Sequence, residues 1–365
     1  MRTESERKIP DELVAELAGK GMFRLALPTS LGGTGTSAVE MLEILEELAK
    51  AEASVAWVVW NNVLPCLFAR FLDDEARARI FADPEAAYAS STRPTGKAVV
   101  EKGGYRVSGR WSLVSGCLHA SWTALMCVVE EDGQIRRNDA GLPELRLAFL
   151  PSSSLEIIDT WNVGGLRGTG SHDVVVQDEA VENAMTFFPT SSGQIDEPIG
   201  RIPIVSMMAA GHAAMCLGIC QSSIDAVTEL ARKKVTVDPV PDLRDKPVNQ
   251  YAVAAAAAKT SALQDHLKKT TGIIWGKALA KKQVNFDDIS RLWSAANVTS
   301  RECKSLVDEL YEVAGTSALY TDSLLERFHR DIHAFMQHII VQRHWVENAG
   351  RTLFGLEPEH PLFAV

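Results

Sequence analysis

Hydrophobic positions recur at helical spacing toward both ends of the chain and at strand spacing in the middle. Before residue 90, the run V-E-M-L-E-I-L-E-E-L-A-K places apolar residues on one helical face. Thr36 or Ser37 stands ready to cap it, and a glycine-rich turn, T-S-L-G-G-T-G, precedes it. Ser54 to Phe71 is apolar on nearly every side, which predicts a buried helix. From about 91 to 195 the period shortens: W-T-A-L-M-C-V-V, L-R-L-A-F-L-P and H-D-V-V-V alternate or run β-branched between Gly, Asn, Asp and Pro. Beyond that, helical patterns follow near 203–234, 248–283, 287–318 and 322–354, with breaks at V-D-P-V-P-D, N-F-D-D and G-T-S-A-L-Y-T-D. The alanine-rich stretch Ala252 to Ala258 suits close helix packing. The pattern predicts an α+β, mostly α chain in three regions: an N-terminal helical domain (1–90), a central antiparallel β domain (91–195) and a C-terminal four-helix bundle (196–365).

Composition narrows the class. With 46% hydrophobic and 23% charged residues the chain has the balance of a soluble globular protein. A net charge of −10 leaves no basic footprint for nucleic acid or an anionic membrane. No run approaches the roughly 20 apolar residues of a membrane span, and the N-terminus lacks a signal-peptide core. Six cysteines lie among apolar neighbours without metal-ligand spacing, so buried reduced thiols, a cytoplasmic location and no metal are expected. Neither GxGxxG nor GxxxxGK[ST] occurs.

Candidate chemistry concentrates in R-F-H-R-D-I-H-A-F-M-Q-H-I-I-V-Q-R-H-W, residues 327–345. Read as one continuous helix, it aligns Arg327, Asp331 and His338 on a single stripe and turns His329, His333 and His344 elsewhere. Asp331 then either orients His338 or pairs with Arg327 or Arg330.

Four motifs occur in order: P-T-S-L-G-G-T-G from Pro28, G-R-W-S-L-V-S-G from Gly109, T-W-N-V-G-G-L-R-G-T-G-S from Thr160, and R-F-H-R-D from Arg327. Together they resemble the acyl-CoA dehydrogenase superfamily across nearly the whole chain. More narrowly, they resemble its oxygen-using branch, the oxygenase components of two-component flavin monooxygenases that hydroxylate aromatics. The resemblance implies a helical domain, a β domain and a four-helix bundle enclosing the flavin, in an enzyme that is usually a tetramer.

What the resemblance implies can be stated residue by residue. Ser115 is expected near flavin N5, with Trp111 and Gly116 shaping that wall. Arg167, Gly168, Thr169 and Ser171 are expected as a close-approaching flavin loop, and Arg232 as a phosphate ligand for a neighbouring subunit. Trp57, Trp60, Asn61, Asn62 and Phe335 are expected to line the substrate site, with Trp293 a further aromatic of the same kind; His119 and His212 are read as structural. Dehydrogenases of this family need a carboxylate base after the Arg-Asp motif or on the first bundle helix. Here no Asp or Glu occurs between Asp331 and Glu347, or between Glu197 and Asp225, and His338 stands close to the first position. The implied cofactor is reduced flavin, FADH2 or FMNH2, from a separate NAD(P)H:flavin reductase. O2 is the co-substrate, forming a C4a-hydroperoxyflavin. His338 then serves as base or peroxide partner. N- or S-oxygenation on the same scaffold, a dehydrogenase with a displaced base, and a flavin-free structural paralogue are the alternatives.

Overall fold

The computed structural model describes residues 2–188, 195–234, 241–360 and 362–363. Five helices come first: α1 (Arg2–Glu6), α2 (Asp11–Gly19), α3 (Ala38–Ala51), α4 (Ala53–Phe68) and α5 (Asp74–Ile80). Eight strands follow: β1 (Tyr88–Glu101), β2 (Gly104–Val114), β3 (Trp122–Glu131), β4 (Gln134–Ile135), β5 (Leu145–Pro151), β6 (Glu156–Ile158), β7 (His172–Glu182) and β8 (Thr186–Phe187). The chain closes with α6 (Ile204–Lys233), α7 (Pro247–Leu279), α8 (Phe286–Ala314), α9 (Leu324–Phe335) and α10 (Arg343–Leu353). By packing, these elements form two compact units. One comprises Met1–Thr36, Trp57–Asn162 and Arg167–Arg201; the other Ser37–Ala56, Val163–Leu166 and Ile202–Val365.

The first unit is built on one sheet in the order β6-β7-β2-β1-β3-β5-β8, with β4 paired to β3. All neighbours are antiparallel except β1 and β3, which run parallel, a pairing that the alternating pattern alone did not reveal. Gly96 on β1 and Gly109 on β2 have a specific cause. A Cβ at Gly96 would lie 1.9 Å from the Trp111 ring and one at Gly109 2.9 Å from it, so the fully buried indole packs where only bare backbone leaves room. Of the α4 residues in this unit, Trp57, Val58, Val59, Trp60, Val63 and Leu67 are buried, as the apolar pattern predicts, while Asn61 is half-buried.

In the second unit Ser37 proves to be the cap of α3. Its hydroxyl accepts from the Glu40 N–H (3.2 Å) and the Glu40 carboxylate accepts from the Ser37 N–H (2.8 Å), a capping box contributing about 1 kcal/mol. Asn285 and Asp288 repeat the device at the start of α8, within the N-F-D-D break. The V-D-P-V-P-D break falls largely outside the described residues. At Gly218 a Cβ would meet the Glu46 carbonyl at 2.3 Å, so glycine lets α6 approach α3 closely. An 18-residue window of α6 is apolar enough to cross a bilayer, with mean hydropathy 1.5, contrary to the expectation from sequence. In this fold 83% of that window is buried, as in a core helix.

The predicted helix over 322–354 is divided. α9 stops at Phe335, a 3-10 turn occupies Ile339–Val341, and α10 begins at Arg343. The β-branched run Ile339-Ile340-Val341 is a weak helix former. Tertiary partners then hold each carbonyl of the break: Trp345 Nε1 donates to Ile339 O (2.9 Å), Asn297 Nδ2 to Ile340 O (3.4 Å) and an Arg301 guanidinium N–H to Val341 O (2.6 Å).

Candidate active site

In the first unit, β2 and β7 meet with Val114 opposite His172, so the next residue outward on each strand, Ser115 and Ser171, also face one another. Their hydroxyls are 2.8 Å apart, and Ser171 Oγ lies 2.7 Å from Thr169 Oγ1. From α4, Trp57 Nε1 donates to Ser115 Oγ at 2.9 Å. The backbone closes the arrangement: the Gly116 N–H donates to Thr169 O at 3.0 Å, with Gly116 at φ +73° and Gly170 at φ +53°. Leu113, two residues before Ser115, also adopts a left-handed φ of +61°, a strained conformation for leucine that kinks the strand end. Three buried hydroxyls and an indole N–H therefore form one uncharged chain at a turn whose glycines leave the backbone bare.

This set fits a flavin ring edge. Such an edge is flat and carries alternating uncharged donors and acceptors, which hydroxyls complement in either sense. Arg167, half-buried at the head of the same turn, is the charged member of the predicted flavin loop, and Gly168 beside it is buried. Asn61 donates from Nδ2 to Trp57 O (2.8 Å), while Asn62 donates to Val58 O and accepts from the Tyr88 N–H. Trp60 is buried on the same helix. Trp111 departs from expectation. It has no exposed surface, and its Nε1 donates to Met126 O at 2.7 Å, so it is a core residue of the sheet rather than part of a ligand-facing wall.

In the second unit Val163–Leu166 packs with α9. A Cβ at Gly165 would lie 2.3 Å from the Arg330 carbonyl, and Arg330 donates to Gly164 O. Leu166, at φ +54°, donates its N–H to Asp331 Oδ1 at 2.6 Å. Burial pushes the Asp331 carboxyl up to about 7, against the lowering effect of that N–H and of Arg327 and Arg330. Arg327 itself pairs with Glu52 (2.8 Å) and Arg330 with Glu326 (2.5 Å). The stripe expected to join Asp331 to His338 is lost because the helix ends between them.

His338 instead caps the 3-10 turn. Its backbone is extended (ψ 143°) and its Nδ1 accepts from the Ile340 N–H at 3.3 Å. The ring is half-buried and stacks on His212, centroids 6.3 Å apart and planes 25° apart. His212, read from the sequence as structural, is buried and hydrogen-bonded through both ring nitrogens. From the middle of α6 its Nε2 meets Phe335 O at 3.0 Å and its Nδ1 meets Ser300 Oγ at 3.1 Å. A carbonyl only accepts, so Nε2 carries the proton and Nδ1 receives the serine O–H. Burial, then the nearby His338, holds the His212 ring down at about 3, so it stays neutral. Phe335, expected at the substrate, is buried with its ring edge-on to His212 (5.1 Å, 73°). Arg232 lies exposed on the last turn of α6. Nothing in the sequence linked His212 to His338, because 126 positions separate them and only the fold stacks them.

Two family models match the chain: "Acyl-CoA dehydrogenase, N-terminal domain" over residues 1–83 and "Acyl-CoA dehydrogenase, C-terminal domain" over 210–343. The flavin-dependent monooxygenase oxygenase subunit HsaA of Mycobacterium tuberculosis is 32% identical over 98% of this chain and 91% of its own length. Indole-3-acetate monooxygenase of Acinetobacter baumannii is 27% identical over 97% and 90%. Among solved structures, XiaF from Streptomyces sp. in complex with FADH2 and glycerol superposes with a TM-score of 0.89 at 25% identity, covering 99% of this chain and 92% of that one.

Proposed function

Since this chain belongs to the acyl-CoA dehydrogenase superfamily, in the branch of flavin-dependent monooxygenase oxygenase subunits, we propose that it hydroxylates an aromatic or heteroaromatic small molecule with O2 and reduced flavin delivered by a separate NAD(P)H:flavin reductase. The observation that carries this reading is the uncharged chain of buried hydroxyls at Ser115, Ser171 and Thr169; independently, the sequence lacks the carboxylate that a thioester-oxidising relative needs. When bound, the flavin supplies the electrons that reduce oxygen and hold it ready for transfer. The chain's own groups do the rest. Ser115, Thr169 and Ser171 hold the ring edge through hydroxyls that Trp57 helps orient. Gly116 and Gly168 let backbone approach, and Arg167 offers a charge to a phosphate. Arg232, on an exposed helix end, suits a role toward a neighbouring subunit in a homotetramer.

His338 acts as a donor in this reading. With Nδ1 accepting from Ile340, the neutral ring carries its proton on Nε2 and presents an N–H to oxygen rather than a lone pair to a phenol. Proton abstraction by Nδ1 would require the turn to give up that hydrogen bond. His212 supports His338 through the stacked rings and is a positioning residue. Asp331 is assigned to holding the Leu166 loop, with its influence on His338 indirect. Six buried cysteines, none in a disulfide among the described residues, support a reducing compartment and hence the cytoplasm.

The test is anaerobic mixing of the protein with FADH2 or FMNH2, then oxygen, then a panel of phenols and indoles with product masses read. A gain of one oxygen atom is expected; enoyl products from acyl-CoA thioesters would overturn the reading. His338→Asn keeps a side chain able to cap the turn. It should cut product formed per O2 consumed by about 10²-fold while flavin affinity changes little. Undiminished coupling would remove His338 from the chemistry.

A further inference from the structure

We propose that Asp308, His329 and His333 form a binding site for a first-row divalent cation, joining α8 to α9. His329 and His333 are four residues apart on α9, so both imidazoles leave the same face, with ring centroids 4.5 Å apart. From α8, Asp308 Oδ1 meets both: His333 Nε2 at 2.8 Å and His329 Nε2 at 3.4 Å. The three ligand atoms lie within 4.8 Å of one another. Ligands bound tetrahedrally at about 2.0–2.2 Å stand about 3.4 Å apart, so the 2.8 Å His333–Asp308 contact opens by about 0.6 Å and the wider separations, all within 4.8 Å, close by at most about 1.4 Å. Side chains exposed by 33%, 41% and 29% for His329, His333 and Asp308 can make that movement and leave water the remaining coordination positions.

Neighbouring groups hold the three side chains in this arrangement. Lys304 engages Asp308 through Oδ2 at 2.5 Å, which leaves Oδ1 directed at the two rings. Tyr311 stacks on His329 (4.4 Å, 29°) and fixes its orientation. Two imidazoles and a carboxylate are borderline donors suited to Zn²⁺, Co²⁺, Ni²⁺ or Cu²⁺ and poor ones for Mg²⁺. The sequence reading expected no metal because the cysteines lack zinc-ligand spacing; this cluster holds no cysteine and takes its carboxylate from another helix. This inference does not rest on the hydroxylase reading; the site's consequence is to clamp the outer face of α9, the helix that carries Asp331 and leads into His338.

The experiment uses the full-length, tag-free protein, stripped with chelator and titrated with Co²⁺ followed by its visible absorption, with Zn²⁺ as competitor. One equivalent should bind, be displaced by Zn²⁺, and raise the melting temperature. His333→Ala, His329→Gln and Asp308→Asn should each weaken binding by about tenfold or more. Retained circular dichroism would confirm folding, and with three half-exposed positions at least one variant serves. Absence of Co²⁺ binding by the wild type, or equal affinity in a folded variant, overturns the site.

Discussion

Two buried titratable groups, Asp331 and His212, give the protein opposite responses to pH. Asp331 titrates at about 7 in the fold against an ordinary 3.8, so between those values the native state holds the extra proton and stability falls as pH rises. His212 sits at about 3 against 6.5, so there the unfolded state holds the extra proton and stability rises with pH. Over roughly pH 4–6.5 the two slopes, each up to about 1.4 kcal/mol per unit, oppose one another. Relative to wild type, Asp331→Asn should make stability climb with pH in that window and His212→Gln should make it decline. Urea unfolding at several pH values reads both, and parallel profiles would contradict the assignments. Ser115→Ala removes the hydroxyl to which Trp57 Nε1 donates and should cost about 1–3 kcal/mol. A Trp57→Phe, Ser115→Ala cycle should return a coupling near 1 kcal/mol, checked by the same denaturation.

Among elements, the interrupted last helix decides most. Ser115 and Ser171 were both singled out by motif resemblance, since a Val-Ser-Gly strand end is locally an ordinary turn; that their hydroxyls face one another is seen only in the fold. His338 was legible as a residue but not as a geometry. Helical periodicity runs unbroken through 322–354, and only the carbonyl-capturing side chains of Asn297, Arg301 and Trp345 make the break the better solution. Arg301→Ala should therefore loosen residues 338–342, seen as faster amide exchange there than in α8. Exchange confined to the wild-type rate would show that the β-branched run holds the break unaided. Gly165 is the second point of this kind. Gly165→Ala forces a Cβ onto the Arg330 carbonyl and should destabilise by about 1–3 kcal/mol, measured by thermal melting.

At the scale of the whole molecule, the three regions of secondary structure seen in the sequence appear as α1–α5, β1–β8 and α6–α10. Packing regroups them into two units of three segments each, with Ser37–Ala56 joining the C-terminal helices. No local pattern announces that regrouping, since α3 reads as amphipathic whichever core it faces. Reduced flavin, if it binds only the native protein, should raise apparent stability by about 2.7 kcal/mol at a hundredfold excess over its Kd. An anaerobic thermal shift reads this, and the shift should shrink in Ser115→Ala.

By itself the sequence determined the element types, a cap at Thr36 or Ser37, the burial of α4, the missing carboxylate and the family. All of these rest on interactions within a few residues or on motif order. The fold alone decided where α9 stops, which face His338 presents, that His212 stacks behind it, and that Asp308 meets two histidines. Most of these depend on hydrogen bonds and ring contacts between residues tens to hundreds of positions apart, where periodicity carries no information.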